Sequence, residues 1–134
     1  MSQIEWSAGL ALGVDPMDDT HREFIDHLNA LAEARDGQML ERFDVLYAHT
    51  VAHFEQEQRW MQQMPFPAMH CHVAEHEGVL DVLREVRGHL NNGHYDVGRV
   101  LARELAEWFR GHAATMDAML AQVLQARGAA AKAA

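Results

Sequence analysis

Seven histidine and acidic residues of this chain have the types and spacing of metal ligands. Two pairs of them stand four residues apart, the spacing that puts two side chains on one face of a helix. Imidazole suits iron, zinc, copper or nickel, and spacing alone does not choose among these metals. Together the five imidazoles and two carboxylates are enough to hold two metal ions. They are His21, His53, Glu57, His72, His76, His112 and Asp117.

The elements that must position these residues are helices, since strand patterns are absent. Apolar residues recur every three or four positions in four segments joined by short connections, which predicts antiparallel neighbours. We therefore expect an all-α fold, an antiparallel up-down-up-down four-helix bundle with an N-terminal extended arm. The predicted segments run from Asp15-Pro16 to about Asp36-Gly37, from Met39 to Pro65, from Met69 to Asn91-Asn92-Gly93, and from Val97 to Leu124.

The turns between these segments set the level of each candidate ligand along the bundle. A helix rises about 1.5 Å per residue, so distances from the turns can be compared between neighbouring helices. Counted in this way, all seven candidates fall in one layer, with one or two from each helix. Buried polar groups in such a layer need partners, and a metal supplies them.

The spacing of His112 and Asp117 is less regular than that of the other pairs. Residues five apart lie about 140° from each other on an ideal helix. Either this pair straddles the site, or the helix is widened there by a π-bulge, a feature often found at functional sites.

Composition limits the remaining possibilities. The chain has 134 residues and 49% hydrophobic residues, which suits a single domain over 1–134 with an arm at 1–16, a bundle at 17–126 and a frayed tail at 127–134. Its formal charge of −9 argues against nucleic-acid and anionic-membrane partners. Cys71 is the only cysteine. With no membrane span and no signal-peptide pattern, we expect a cytoplasmic protein.

Counting ligands predicts what such a site could do. Against two octahedral ions, five imidazoles, two bridging carboxylates and one bridging solvent oxygen fill every place but one. A buried site with a single open place fits one small diatomic ligand and has little room for an organic substrate.

At this point the sequence resembles the bacterial hemerythrins over nearly its whole length, from Ile4 to about Leu124. The full set of motifs in this order is highly specific. The motifs are Ile4-Glu5-Trp6, Leu12-Gly13-Val14, Asp18-Asp19-Thr20-His21, His53-Phe54-x-x-Glu57, Met61, His72-x-x-x-His76, and Trp108-x-x-x-His112-x-x-x-x-Asp117.

The resemblance implies a non-haem di-iron centre, oxo- or hydroxo-bridged, that binds molecular oxygen reversibly for storage, delivery or sensing. By resemblance, His72, His76 and His112 hold one iron, His21 and His53 hold the other, and Glu57 and Asp117 bridge them. Oxygen would bind the iron with two histidines. An oxygen-consuming enzyme is a candidate recipient, and we expect a monomer or weak oligomer.

The resemblance also implies an oxygen pocket lined by Phe54, Trp108, Phe109 and Ala113. Family members usually carry a bulky aliphatic residue at the position of Ala113, so the pocket should be roomier here. They usually carry glutamine at the position of Thr20, which we expect to matter less.

Three functions remain open, namely an oxygen carrier, a di-iron enzyme and a sensor. A di-iron enzyme with oxidase, peroxidase or nitric-oxide-handling activity would use a similar layer, although ferritin-like enzymes use Glu-x-x-His pairs, and no Glu here has His three residues later. The chain is therefore predicted to be an oxygen carrier and not an enzyme. A sensor would need a partner for its output. His49 precedes His53 by four residues and is a candidate for supporting it.

Overall fold

The computed structural model describes residues 4–133, with side chains described as far as residue 128, and these residues contain helices but no β-strand. Two short 3-10 turns, Ala8–Leu10 and Asp36–Gln38, lie in the connections. The main elements are α1 (Asp15–Ala32), α2 (Met39–Gln62), α3 (Met69–Asn91), α4 (Asp96–His112), a π-helical segment (Ala113–Asp117) and α5 (Ala118–Ala133).

Most helix ends follow the residues that predicted them. Pro16 occupies the first turn of α1, where its missing N–H costs no hydrogen bond. Gly93 follows α3 with a φ of 82°, in the left-handed region that glycine adopts at low cost. One end differs from its prediction, because α1 stops at Ala32 and the Asp36-Gly37 segment forms the separate 3-10 turn that leads into α2.

The four-helix bundle is confirmed. Helix α1 packs against α2 and α4, and α3 packs against α2 and α4, so each helix has two neighbours around the bundle. The short connections reverse the chain at every turn, which gives the up-down-up-down order. The last helical stretch is continuous through α4, the π segment and α5, and it reaches Ala133. The frayed tail expected at 127–134 stays a prediction, although the helix continues as far as Ala133.

Two clusters of buried apolar side chains make up the core. The larger cluster includes Phe24, Phe43, Leu83 and Leu105, and the smaller one includes Met17, Met61 and Leu120. Along every helix the candidate metal ligands fall between the residues of one cluster and those of the other. The apolar core is therefore divided by one polar layer.

The N-terminal arm is held against α1 at two points. Leu12 N and Gly13 N donate to the two carboxylate oxygens of Asp18, at 2.9 and 3.2 Å. Gly13 has a φ of 84°, which suits this tight approach. Further out, the Asn29 side chain exchanges two hydrogen bonds with the backbone of Ile4. The arm thus runs back along α1 instead of extending away from the bundle.

No helix within residues 4–133 combines the length and the apolar character that crossing a membrane requires.

We predict that Asp18→Ala destabilises the metal-free protein by about 2 kcal/mol, because two backbone donors lose a charged acceptor that is itself buried. Asp19→Ala is the matched control, since Asp19 is exposed and pairs with Arg22 in a surface ion pair. Urea unfolding followed by circular dichroism measures both. Equal midpoints for the two variants would contradict the role given to Asp18.

Candidate metal centre

The structure brings all seven sequence-predicted ligands together in the layer between the two apolar clusters. Their exposed fractions lie between 0% and 4%, so the whole group is shielded from water. Helix α1 supplies His21, α2 supplies His53 and Glu57, and α3 supplies His72 and His76. The fourth helical stretch supplies His112, directly before its π segment, and Asp117, the last residue of that segment.

The two oxygens of Glu57 face different groups of histidines. Oε2 lies 2.9 Å from His53 Nε2 and 3.6 Å from His21 Nε2. Oε1 lies 3.1 Å from His72 Nε2 and 3.3 Å from His76 Nε2. A carboxylate placed in this way can give one oxygen to each of two metal ions.

Asp117 divides its oxygens between the same two groups. Oδ2 lies 3.2 Å from His21 Nε2, whereas Oδ1 lies 3.1 Å from His72 Nε2 and 3.0 Å from His112 Nε2. Neither oxygen makes a hydrogen bond of normal geometry with another protein group. Two buried carboxylate oxygens without hydrogen-bond partners would be costly unless a further positive group satisfied them.

The π-helical segment brings Asp117 to the site. It begins directly after His112 and ends at Asp117. In a π turn the hydrogen bond spans one residue more than in an α-helix, so residues five apart come onto one face. Of the two arrangements left open by the spacing, the π-bulge is the one found, and His112 Nε2 and Asp117 Oδ1 are consequently in contact.

The pKa values of the acids and imidazoles in the layer are set by burial and by the charged groups that face them. Burial would raise the pKa of Glu57, but the facing histidines, His53 foremost, hold it well below its usual range. Burial would likewise lower the pKa of His21 and of His72, but the two carboxylates raise both to about 9. For His76 burial prevails and the pKa is lowered. The two carboxylates and the His21 and His72 imidazoles thus stabilise one another's charged forms.

The donor set fits metal ions in two overlapping groups. Glu57 and Asp117 belong to both groups, and within each group the ligand atoms lie within 4.8 Å of one another. The groups are Glu57, His72, His76, His112 and Asp117 on one side, and His21, His53, Glu57 and Asp117 on the other. Three imidazoles with two carboxylates, and two imidazoles with the same two carboxylates, suit a pair of transition-metal ions.

The residues predicted to line an oxygen pocket contact histidines of both groups. Phe54 stacks on the His76 ring at 3.8 Å between centroids, and Trp108 stacks on the His112 ring at 4.4 Å. Both therefore cover the three-histidine group, which consists of His72, His76 and His112. Phe54 also contacts His53, with 5.3 Å between ring centroids.

The two-histidine group has other aromatic neighbours. The Phe109 ring meets His21 edge-on at 5.0 Å, and the Phe24 ring meets His53 at 5.7 Å. Ala113 is 2% exposed and belongs to the larger apolar cluster together with these two phenylalanines. A pocket role for the four predicted residues stays a prediction, and Phe109 is the one whose ring lies beside both His21 and Phe24.

One functional contact was missed from the sequence. Glu75 Oε1 lies 2.8 Å from His112 Nδ1 and accepts a hydrogen bond from Trp108 Nε1 at 3.0 Å. The available signals were the position of Glu75 beside His76 and the four-residue spacing of Trp108 and His112. By contrast, His49 meets His53 through a ring contact at 6.2 Å between centroids, and its Nε2 lies 3.5 Å from Glu23 Oε1.

Comparison with known proteins agrees with this geometry. The family model of the hemerythrin HHE cation binding domain matches residues 12–124. A bacteriohemerythrin of Ralstonia nicotianae is 41% identical over 128 residues, which are 96% of this chain and 93% of the relative. A bacteriohemerythrin of Aquifex aeolicus is 30% identical over 81% of this chain and 87% of the relative.

The fold has a close counterpart among solved structures. The crystal structure of a hemerythrin variant with one leucine replaced by alanine superposes with a TM-score of 0.83, covering 91% of this chain and 97% of that chain at 24% identity. At this identity the superposition supports the fold only, whereas the sequence matches extend over the metal-binding layer itself. The chain belongs to the hemerythrin family.

Proposed function

We propose that this chain binds molecular oxygen reversibly at a non-haem centre of two iron ions. The observation that carries the proposal is the division of the Glu57 and Asp117 oxygens between two groups of histidines. Carboxylates shared in this way would hold two ions together, and each group of histidines would serve one of them. Bound ferrous iron would supply the electrons that reversible oxygen binding takes up and returns.

The two groups of histidines would hold their ions with different numbers of ligands. His72, His76 and His112, with the two carboxylates, would provide five ligands to one ion. His21 and His53, with the same two carboxylates, would provide one imidazole fewer to the other and so leave room for an added ligand. Oxygen would therefore reach the two-histidine side, in agreement with the role that the family resemblance implies.

Aromatic and apolar side chains restrict access to that side. Phe24 and Phe109 pack against each other at 5.1 Å between centroids and flank His53 and His21. Both phenylalanines are buried, as is Ala113 in the same cluster. A small apolar ligand can enter such surroundings, whereas water and organic substrates gain little there. This arrangement supports an oxygen carrier over an enzyme.

A di-iron enzyme is the alternative, and the composition of the layer weighs against it. Only two carboxylates lie among the seven ligands, whereas ferritin-like di-iron enzymes use a carboxylate-rich set. We further propose that the chain acts as a single domain. A cytoplasmic location, an oxygen-consuming partner enzyme and a monomeric or weakly oligomeric state stay predictions.

We predict close to two irons per chain when the protein is produced with ample iron, since two donor groups share both carboxylates. Elemental analysis gives the count, and absorption spectra in air and under argon test the function. A coloured oxygenated form that bleaches on deoxygenation and returns in air supports a carrier. One zinc with no iron would refute the assignment, and steady consumption of a reductant would favour the enzyme.

We predict that Glu57→Ala removes most bound iron, whereas Glu55→Ala retains it. Glu57 is fully buried and faces both groups of histidines, so its loss takes one ligand from each ion and leaves buried positive charge less compensated. Glu55 lies on the exposed side of the same helix. Iron content and oxygen binding of the two variants should differ sharply, and equal values would contradict a bridging role.

We predict that Ala113→Ile slows the decay of the oxygenated spectrum and weakens azide binding. A larger aliphatic side chain beside His112 would exclude water and small anions from the space near Phe24 and Phe109. Ala114→Ile is the matched control, because Ala114 is exposed. Stopped-flow spectroscopy measures the decay. If a well-folded Ala113→Ile protein decays at an unchanged or faster rate, the pocket is already closed and the added side chain only overpacks the core.

A further inference from the structure

We propose that Glu75 is a positioning residue that holds His112 for metal binding, together with Trp108. This inference rests on the proposed function, because His112 is taken as a ligand of one of the two ions. Glu75 is not itself among the seven candidate ligands, and its carboxylate acts through the imidazole of His112.

The two ring nitrogens of His112 have different partners. Nδ1 lies 2.8 Å from Glu75 Oε1, while Nε2 faces the layer, 3.0 Å from Asp117 Oδ1 and 3.1 Å from His76 Nε2. A carboxylate only accepts hydrogen bonds, so Nδ1 must carry the proton in this contact. The tautomer and the ring orientation that leave Nε2 free to bind a metal are thereby selected.

Trp108 restrains the same group from a second direction. Its indole N–H donates to Glu75 Oε1 at 3.0 Å, and its ring stacks on His112 at 4.4 Å with 21° between the planes. Trp108 and His112 are four residues apart and share one face of α4. The carboxylate, the indole and the imidazole therefore form a closed set of three contacts that joins α3 to α4.

The surroundings of Glu75 strengthen these contacts. The side chain lies at a cavity of about 440 Å³ between α3 and α4, whose walls include Val79, Leu101 and Leu105. Glu75 itself is 35% exposed, whereas the His112 side chain is 1% exposed. The imidazole end of this contact is shielded from water, which makes its hydrogen bond to the carboxylate more favourable than one between two exposed groups.

The other side of the layer has no such support among the described residues. The Nδ1 atoms of His21 and His53 are buried and have no hydrogen-bond partner. The same holds for His72, although it belongs to the three-histidine group. The effect of Glu75 should consequently be confined to the ion bound by the three-histidine group. This selectivity distinguishes a positioning residue from one that merely stabilises the bundle.

The test is an anaerobic titration of the metal-free protein with Co²⁺, followed by its visible absorption and by calorimetry. Glu75→Ala removes both charge and acceptor, and Glu75→Gln keeps an oxygen acceptor without the charge. Glu77→Ala is the matched control, since Glu77 is an exposed glutamate on the same helix. Thermal unfolding of each metal-free variant reports on the bundle alone.

We expect two binding steps in the wild-type protein, of which Glu75→Ala weakens one by roughly tenfold or more, the loss typical of outer-shell partners. Glu75→Gln should lie between Glu75→Ala and wild type, and Glu77→Ala should match wild type. No change in either step, or equal weakening of both steps, would overturn the proposal. If Glu75→Ala does not fold, Glu75→Gln decides, and wild-type affinity in that variant overturns it.

The same titration separates this inference from the proposed function. A wild-type protein that binds no metal, or only one ion, would refute the di-metal site and with it the proposed function. A wild-type protein that binds two ions, together with a Glu75→Ala protein that binds them equally well, would refute only the role of Glu75.

Discussion

The burial of two carboxylates at the centre of a helical bundle is the constraint on which the rest of the structure depends. An isolated buried carboxylate is costly, and two beside each other are more so, unless positive groups meet them at close range. Glu57 and Asp117 are met by five imidazoles drawn from all four helical stretches. Each helix must therefore keep a fixed axial position and a fixed rotation relative to its neighbours. The apolar clusters on both sides of the layer maintain that alignment and keep water out.

Within the layer, the two groups of histidines have different surroundings, and the difference has a chemical consequence. The three-histidine side is covered by stacked rings, Phe54 on His76 and Trp108 on His112, and is braced by Glu75. The two-histidine side is bordered by Phe24 and by the ring edge of Phe109, and the Nδ1 atoms of its two imidazoles have no hydrogen-bond partner among the described residues. One ion would thus be saturated and firmly held, and the other would be less constrained and free to accept a ligand. A carrier needs that division, because the ligand must enter and leave without dislodging the metal.

Much of this arrangement could be predicted from the sequence, because it follows from periodicity within single helices. The level of His21 against His53 and of His72 against Glu57 follows from counting residues away from turns marked by glycine and proline. The contact of Glu75 with His112 could not be found in this way, since it joins two helices and depends on their rotation. The early end of α1 at Ala32 also escaped prediction, because the residues after it form a 3-10 turn that periodicity does not distinguish. The sides taken by Phe54 and Phe109 likewise depend on how helices face each other.

The π segment after His112 confines a change of helix pitch to a single turn. It holds one residue more than a regular turn and lies within one continuous helical stretch. At their five-residue spacing, a regular helix would point His112 and Asp117 about 140° apart, so that only one of them could enter the layer. The widened turn directs both inward, while Phe109 before it and Leu120 after it belong to the two apolar clusters. The helix on either side keeps regular α-helical geometry.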